Sequence, residues 1–251
     1  MEQRGENEMQ MIIQLLAAGG EGDKMELVMG LVFGAMIIGI LLVVVYAVAV
    51  REKKRTARLE IVVAEMGLEF QPLGDPQLLA RLAGFPLMNV GRKQELKNLV
   101  LGDTSQGQLA LFDFRYITGH GKNKRTNRQS VLAMEAPELE ELPVFNMRPE
   151  GFWDRVGGVF GMQDVDFDEH EDFSGKFLLK GEDEEALRAF MDKELLDFFA
   201  DRPDLCCESR PGVFLYYRRR KCVEPEVHIL EGFLEQGMMV FLALLERQRR
   251  G

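Results

Sequence analysis

Twenty-four consecutive residues without a charge, Leu27–Val50 (LVMGLVFGAMIIGILLVVVYAVAV), constrain this chain more than any other feature. At ~1.5 Å rise per residue, a helix of that length exceeds the ~30 Å hydrocarbon core of a bilayer. A buried helix of a soluble domain is seldom apolar on every side for so long. The run predicts a transmembrane helix at residues 25–50, with the lipid bilayer as its partner.

A cleaved signal peptide is the competing reading, since Ala47-Val48-Ala49 has the small-x-small form of a cleavage site. It fails on charge. A signal peptide has a basic leader, whereas Met1–Lys24 carries Glu2, Glu6, Glu8, Glu21 and Asp23 against Arg4 and Lys24. The flank after the span is basic instead, with Arg51, Lys53, Lys54, Arg55 and Arg58 against Glu52. Positive flanks stay inside. The asymmetry predicts an inner-membrane, single-pass protein, with residues 1–24 as a short leader outside and the C-terminal part in the cytoplasm.

Two details of this region leave alternatives open. Gly30 and Gly34 form a G-x-x-x-G, repeated by Ala35 and Gly39, which is either a homodimer face or the ordinary glycine content of a membrane helix. Met9–Ala18 (MQMIIQLLAA) is either a surface-lying helix or a frayed tail.

Beyond the span, a basic helix is expected over residues 51–67, ending at Gly67 as its C-cap. A domain follows at residues 68–251. Asp75-Pro76 reads as an N-cap with proline at the first helical position, opening a short helix to Leu82. Strands are expected at Phe85–Val90, Leu96–Leu101, Gln108–Thr118, Arg128–Glu135 and Lys176–Lys180. In the third of these, Phe112, Phe114 and Tyr116 alternate on one face and Leu109 and Leu111 on the other. Val144–Met147, with Pro143 and Pro149 beside it, reads as an edge strand. Leu205–Glu208 and Val213–Arg218 read as a hairpin around Pro211-Gly212. Helices are expected at Pro149–Phe160, at Asp183–Phe199 with a break near Lys193, and at Pro225–Glu246. No βαβ alternation is present. The class is α+β: an antiparallel sheet with helices on one face and a long C-terminal helix.

The chemistry is sparse. Net charge is −10, which excludes a general nucleic-acid binder, because phosphate neutralisation needs clustered positive charge. Three cysteines, Cys206, Cys207 and Cys222, show no disulfide or C-x-x-C spacing, as a reducing compartment would have it. His120, His170 and His228 stand far apart, and no G-x-S-x-G occurs. Cys222 with His228 is a conceivable pair that core packing explains better. No cofactor motif is found.

Local charge is unusual at Thr118–Ser130 (TGHGKNKRTNRQS). A P-loop needs G-x-x-x-x-G-K-[ST], but Tyr116 stands where the first glycine belongs and Asn123 follows Lys122. The stretch also joins two strands, whereas a P-loop opens a helix. What remains is a basic hairpin tip holding His120, Lys122, Lys124, Arg125 and Arg128. Three readings stay open: a solvated turn, a contact for anionic lipid headgroups, or a docking surface for an acidic protein partner. Tyr216–Lys221 (YYRRRK) reads as a solvated turn that would extend this basic surface if folding brings the two together.

Asp164, Asp166 and Asp168 are spaced like the first ligands of a calcium loop. The sixth and twelfth positions then require Gly and Glu, and hold Glu169 and Gly175. The segment is either a solvated acidic loop or a weak metal site serving a membrane-bound hydrolase.

Four phrases together, GDPQLLARL at Gly74–Leu82, LFDFRYITGHGKNKRT at Leu111–Thr126, FGMQDVDF at Phe160–Phe167 and FLLKGEDEEALRAF at Phe177–Phe190, resemble a family of uncharacterised bacterial single-pass membrane proteins with a cytosolic α+β domain. The resemblance runs from the span nearly to the end of the chain. It implies a bacterial, membrane-tethered domain with no established activity, and it carries over no functional residue. The preferred expectation is a non-enzymatic binding or scaffold module that uses the basic tip and the Arg51–Arg58 flank.

Overall fold

The apolar run lies inside one helix, α1 (Glu21–Glu65), in a computed structural model that describes residues 9–10, 21–150 and 161–250. Its most apolar window has a mean hydropathy of 3.0 and no buried residue. The helix stops where the sequence says it should. Gly67 takes a left-handed φ of +69°, Gly67 N–H donates to Ala64 O, and Leu68 N–H donates to Val63 O. That paired closure satisfies two carbonyls of the last turn.

The chain divides into two compact units, Met1–Arg55 and Thr56–Gly251. Among the described residues of the second, nine strands form one antiparallel sheet: β1 (Glu69–Gln71), β2 (Arg92–Thr104), β3 (Gly107–Thr118), β4 (Arg125–Glu135), β5 (Phe145–Pro149), β6 (Gln163–Asp164), β7 (Phe177–Gly181), β8 (Cys206–Arg210) and β9 (Val213–Tyr217). Their spatial order is β1-β2-β3-β4-β9-β8-β5-β7-β6. The helices of this unit after α1 are α2 (Pro76–Arg81), α3 (Glu171–Ser174), α4 (Glu184–Phe190), α5 (Lys193–Ala200) and α6 (Val227–Arg250). The two sheet edges, β1 and β6, are three and two residues long, which leaves little unpaired backbone for another chain to extend.

Strand alternation puts a separate core on each face. Leu109 and Leu111 of β3 join Leu132, Met134, Phe214 and Tyr216 under α4, α5 and α6. Val62 and Val63, in the last turns of α1, belong to the same core. Ala110, Phe112, Phe114 and Tyr116 of β3 join Val131, Leu215 and Tyr217 on the opposite face. That face is covered by α2 and the two turns after it, through Leu78, Leu82, Phe85, Leu87, Met88 and Val90. The long helices thus pack on one face, as the pattern predicts, while a short segment closes the other. Cys206 and Cys207 are adjacent and fall on opposite sides.

The α6 helix is also long and apolar enough to cross a membrane, but its apolar stripe is spent on the sheet. Leu230, Phe233, Gly237, Val240, Phe241, Leu244 and Leu245 are its buried residues. A Cβ built at Gly237 would come within 2.4 Å of Leu132 Cδ2 and 2.9 Å of Tyr216 Cδ1, so the missing side chain is what lets α6 approach β4 and β9.

Two expected elements are corrected. Phe85–Val90 is not a strand but a pair of turns around a 3-10 stretch, Leu87–Asn89. Asn89 holds it by donating to Ala83 O at 2.8 Å and Phe85 O at 3.0 Å. A short, continuously buried apolar run satisfies strand and turn alike, and its length cannot separate them. The strand around Val144–Met147 is internal, since β5 lies between β8 and β7. Pro149 is its last residue, opposite Phe177, where a missing N–H costs least. The expected helix around Trp153 and the Met9–Ala18 segment lie, but for Pro149, Glu150, Met9 and Gln10, outside the described residues.

Candidate functional site

The basic stretch forms the β3–β4 hairpin tip, as the spacing requires. A 3-10 turn covers Gly121–Asn123. Gly119 has φ +72°, and a Cβ there would lie 2.1 Å from Asn123 O, so only glycine closes this loop. His120, Lys122, Lys124 and Arg125 are exposed, and none of the four side chains makes an ion pair among the described residues. Arg128 is set apart from them. It lies within β4, half-buried, directly opposite Arg115 of β3. Arg115 in turn pairs with Glu95 at 2.9 Å, which holds the Glu95 carboxyl below its ordinary value despite partial burial.

Of the basic residues flanking the apolar run, Arg51, Lys53, Lys54 and Arg55 belong to the first unit and Arg58 to the second. Arg51, Lys53, Lys54 and Arg58 are exposed.

The three spaced aspartates serve different ends. Asp164 is the end of edge strand β6 and pairs with Lys180 of β7 at 2.5 Å. Asp166 uses its backbone carbonyl, which accepts from Arg188 at 2.6 Å. Asp168 lines a cleft of about 470 Å³ with Glu169, His170, Arg188 and Lys193. Among the described residues, no three His, Cys, Asp or Glu side chains form a group that could hold a metal ion. His170 has both ring nitrogens engaged: Nδ1 accepts from Phe173 N–H at 3.2 Å, and Nε2 lies 2.7 Å from Asp197 Oδ1. Its Nδ1 bond makes it the N-cap of α3. His228 is exposed on α6.

The densest polar chemistry lies elsewhere, on the face covered by the Pro86–Val90 turns. Glu208 of β8 is fully buried. It accepts from Tyr217 Oη at 2.7 Å and from Leu87 N–H at 3.2 Å, and Asn146 also hydrogen-bonds it. Burial pushes its carboxyl up to about 7, against the pull of these donors and of the Arg148 charge. Beside it is a cleft of about 30 Å³, open to solvent at its mouth. Gln129, Arg148 and Arg219 line that cleft together with Glu208, Asn146 and Tyr217. The sheet register explains the gathering. Val131 pairs with Tyr217, Tyr217 with Cys206, and Asn146 with Glu208, so inward positions of four neighbouring strands meet here.

Sequence reasoning missed this centre. Its one available signal was parity: Cys206 and Cys207 already occupy both faces, so Glu208 two residues on from Cys206 had to share an inward side.

Burial also pushes the Cys206 thiol up to about 12 and the Cys207 thiol well above its ordinary value. Both are packing residues, not nucleophiles.

No family model matches the chain, and no curated protein does. A solved structure does match the fold. The crystal structure of the mycobacterial trehalose monomycolate transport factor A, TtfA, superposes with a TM-score of 0.55 at 15% sequence identity. The match covers 76% of this chain and 94% of that one. At that identity the likeness establishes a shared α+β fold. It spans nearly all of the TtfA chain, which makes the sheet and its covering helices a recurring architecture rather than a peculiarity of this sequence.

Proposed function

We propose that this protein is a membrane-anchored accessory module that acts by binding, not by catalysis. The α1 helix crosses the cytoplasmic membrane with its N-terminus outside, and the α+β domain works in the cytoplasm. One observation carries the reading: Leu27–Val50 is uncharged, helical and without a buried residue in its most apolar window, and the charge around it is acidic before and basic after. The TtfA likeness supports an accessory role, since that protein is named a transport factor. A bacterial origin fits the same reading.

The exposed tip at His120, Lys122, Lys124 and Arg125 is the binding element of this proposal, and the anionic lipid surface is its target. Each Lys or Arg near such a surface contributes ~1 kcal/mol. In an acidic chain, four neighbouring side chains without an ion pair among the described residues favour an anionic target outside the molecule over an internal one.

Anchoring is tested on the full chain in bacterial inner membranes. Replacing Cys222 with Ser leaves only buried thiols, and single cysteines at Met25 and Ala57 then report sidedness. An impermeant maleimide added to intact cells should label Met25→Cys and spare Ala57→Cys. The reverse pattern, or extraction of the chain by carbonate, would overturn the topology. For the tip, residues 56–251 are mixed with neutral and phosphatidylglycerol vesicles. Salt-sensitive binding to the anionic vesicles alone is expected, lost on changing Lys122, Lys124 and Arg125 to Gln. Binding that survives the change sinks the role of the tip, and no binding at all redirects it to a protein partner.

A further inference from the structure

The cleft beside Glu208 is built unlike a structural polar core. Native proteins pair nearly all buried polar groups. Here Gln129 is completely buried, and its Oε1 accepts from Arg220 N–H at 3.0 Å, yet among the described residues its Nε2 has no partner. The Arg148 Nε is buried as well and has no partner among the described residues. Both residues line the same cleft. A buried donor left unmet is destabilising until a partner satisfies it.

Two guanidinium groups meet one carboxyl in the cleft. Arg148 and Arg219 both line it. Arg219 is held below the usual guanidinium value first by its burial, then by the charges of Arg220 and Arg148. Cations gathered closely enough to oppose one another are stabilised by an anion between them. Among the described residues that line the cleft, Glu208 is the one carboxylate, and it already accepts from Tyr217, Leu87 and Asn146. A metal cation is excluded by the guanidinium groups. A neutral apolar ligand is excluded by the unmet donors.

From this geometry we infer that the cleft is an oxyanion site, which takes a phosphate group on Arg148, Gln129 and Arg219. The planar fork of Arg148 suits two phosphate oxygens, and the Gln129 amide supplies a third donor. The cleft is small, about 30 Å³, and its open mouth leaves the bulk of a larger ligand outside. The phosphate is either free or the headgroup of a lipid. The inference goes beyond the anchoring and tip readings and depends on neither.

The test uses the full chain in nanodiscs, with thermal unfolding as the readout. Inorganic phosphate is titrated against potassium chloride of equal ionic strength, in discs of phosphatidylcholine alone and with phosphatidylglycerol. In phosphatidylcholine discs, a saturable rise in unfolding midpoint with phosphate, absent with chloride, is expected. Persistence of that rise in phosphatidylglycerol discs identifies the free ion as the ligand. Its replacement there by a higher starting midpoint identifies the lipid headgroup. Arg148→Gln should weaken the response roughly tenfold, the value of one charge-assisted hydrogen bond. Gln129→Glu, nearly isosteric and still able to accept from Arg220 N–H, should abolish it by repulsion. Circular dichroism of both variants reports whether they fold. Two results overturn the inference: chloride matching phosphate in both discs with no lipid effect, or a folded Arg148→Gln chain that responds as the parent does.

Discussion

Tyr217 Oη donates to Glu208 Oε1 at 2.7 Å inside the sheet, where both side chains are buried. The bond joins neighbouring strands β9 and β8 and turns a carboxyl that burial opposes into a fixed acceptor. Its consequence is a pH-dependent stability. The folded carboxyl titrates at about 7, above the ordinary value of 4.5. A raised acid is most favourable to the fold when protonated, so its contribution is full below pH 4.5 and is lost as pH rises through 7. The loss is of order 3 kcal/mol. Glu208→Gln should flatten urea-unfolding stability between pH 5 and 8 and leave the variant more stable than the parent at pH 8. An unchanged slope would show that Glu208 does not set it.

Removing the other partner acts oppositely. The Tyr217 hydroxyl is among the donors that hold the Glu208 carboxyl down. Tyr217→Phe should therefore destabilise the fold at pH 8 by ~1–3 kcal/mol and by much less at pH 5. Equal losses at both pH values would mean that packing, not the bond, is what the hydroxyl supplies.

Two glycines of α6 separate helix propensity from packing. Gly232 has open space where a Cβ would go, whereas Gly237 faces Leu132 and Tyr216. Gly232→Ala should stabilise by ~0.5–1 kcal/mol, the ordinary gain in a helix interior. Gly237→Ala makes the same gain and then overfills the core, for a net destabilisation expected at ~1–2 kcal/mol. Chemical denaturation of both variants checks the opposite signs.

Helix α4 begins at the N-cap Asp183. The Asp183 side chain accepts from Ala186 N–H at 2.9 Å. Asp183→Ala should cost ~1 kcal/mol, while Asp183→Asn should cost little, because either oxygen can accept the bond. A loss as large in the Asn variant would assign the effect to charge at the helix end instead.

Among the described residues, the four tip side chains make no ion pair that the fold would lose. Changing Lys122, Lys124 and Arg125 to Gln should leave the unfolding midpoint of residues 56–251 within the range of ordinary surface substitutions, about 0.5 kcal/mol. A larger change would give the tip a structural role and remove it from the vesicle experiment.

Local signals carried much of this fold. The uncharged run, the glycine stop at Gly67, the Asp75-Pro76 start and the Pro211-Gly212 turn are each encoded within a few residues, so each could be read directly. Alternation in β3 named both faces of the sheet correctly, because a strand of period two leaves no other choice. The basic tip was legible for the same reason, as a turn between two alternating runs. By itself, then, the sequence determined the apolar helix, the α+β class and the elements with strong end signals. Tertiary structure alone decided the rest. It placed β5 inside the sheet, folded Phe85–Val90 into a turn that donates Leu87 N–H to Glu208, and set Gln129, Arg148 and Arg219 around one cleft. Gln129 and Arg148 come from strands β4 and β5 and Arg219 from the turn after β9, far apart in the chain, and no local rule of spacing or propensity ties them together. Only the pairing of β4, β9, β8 and β5 does, and pairing is settled by which apolar faces can be buried at once.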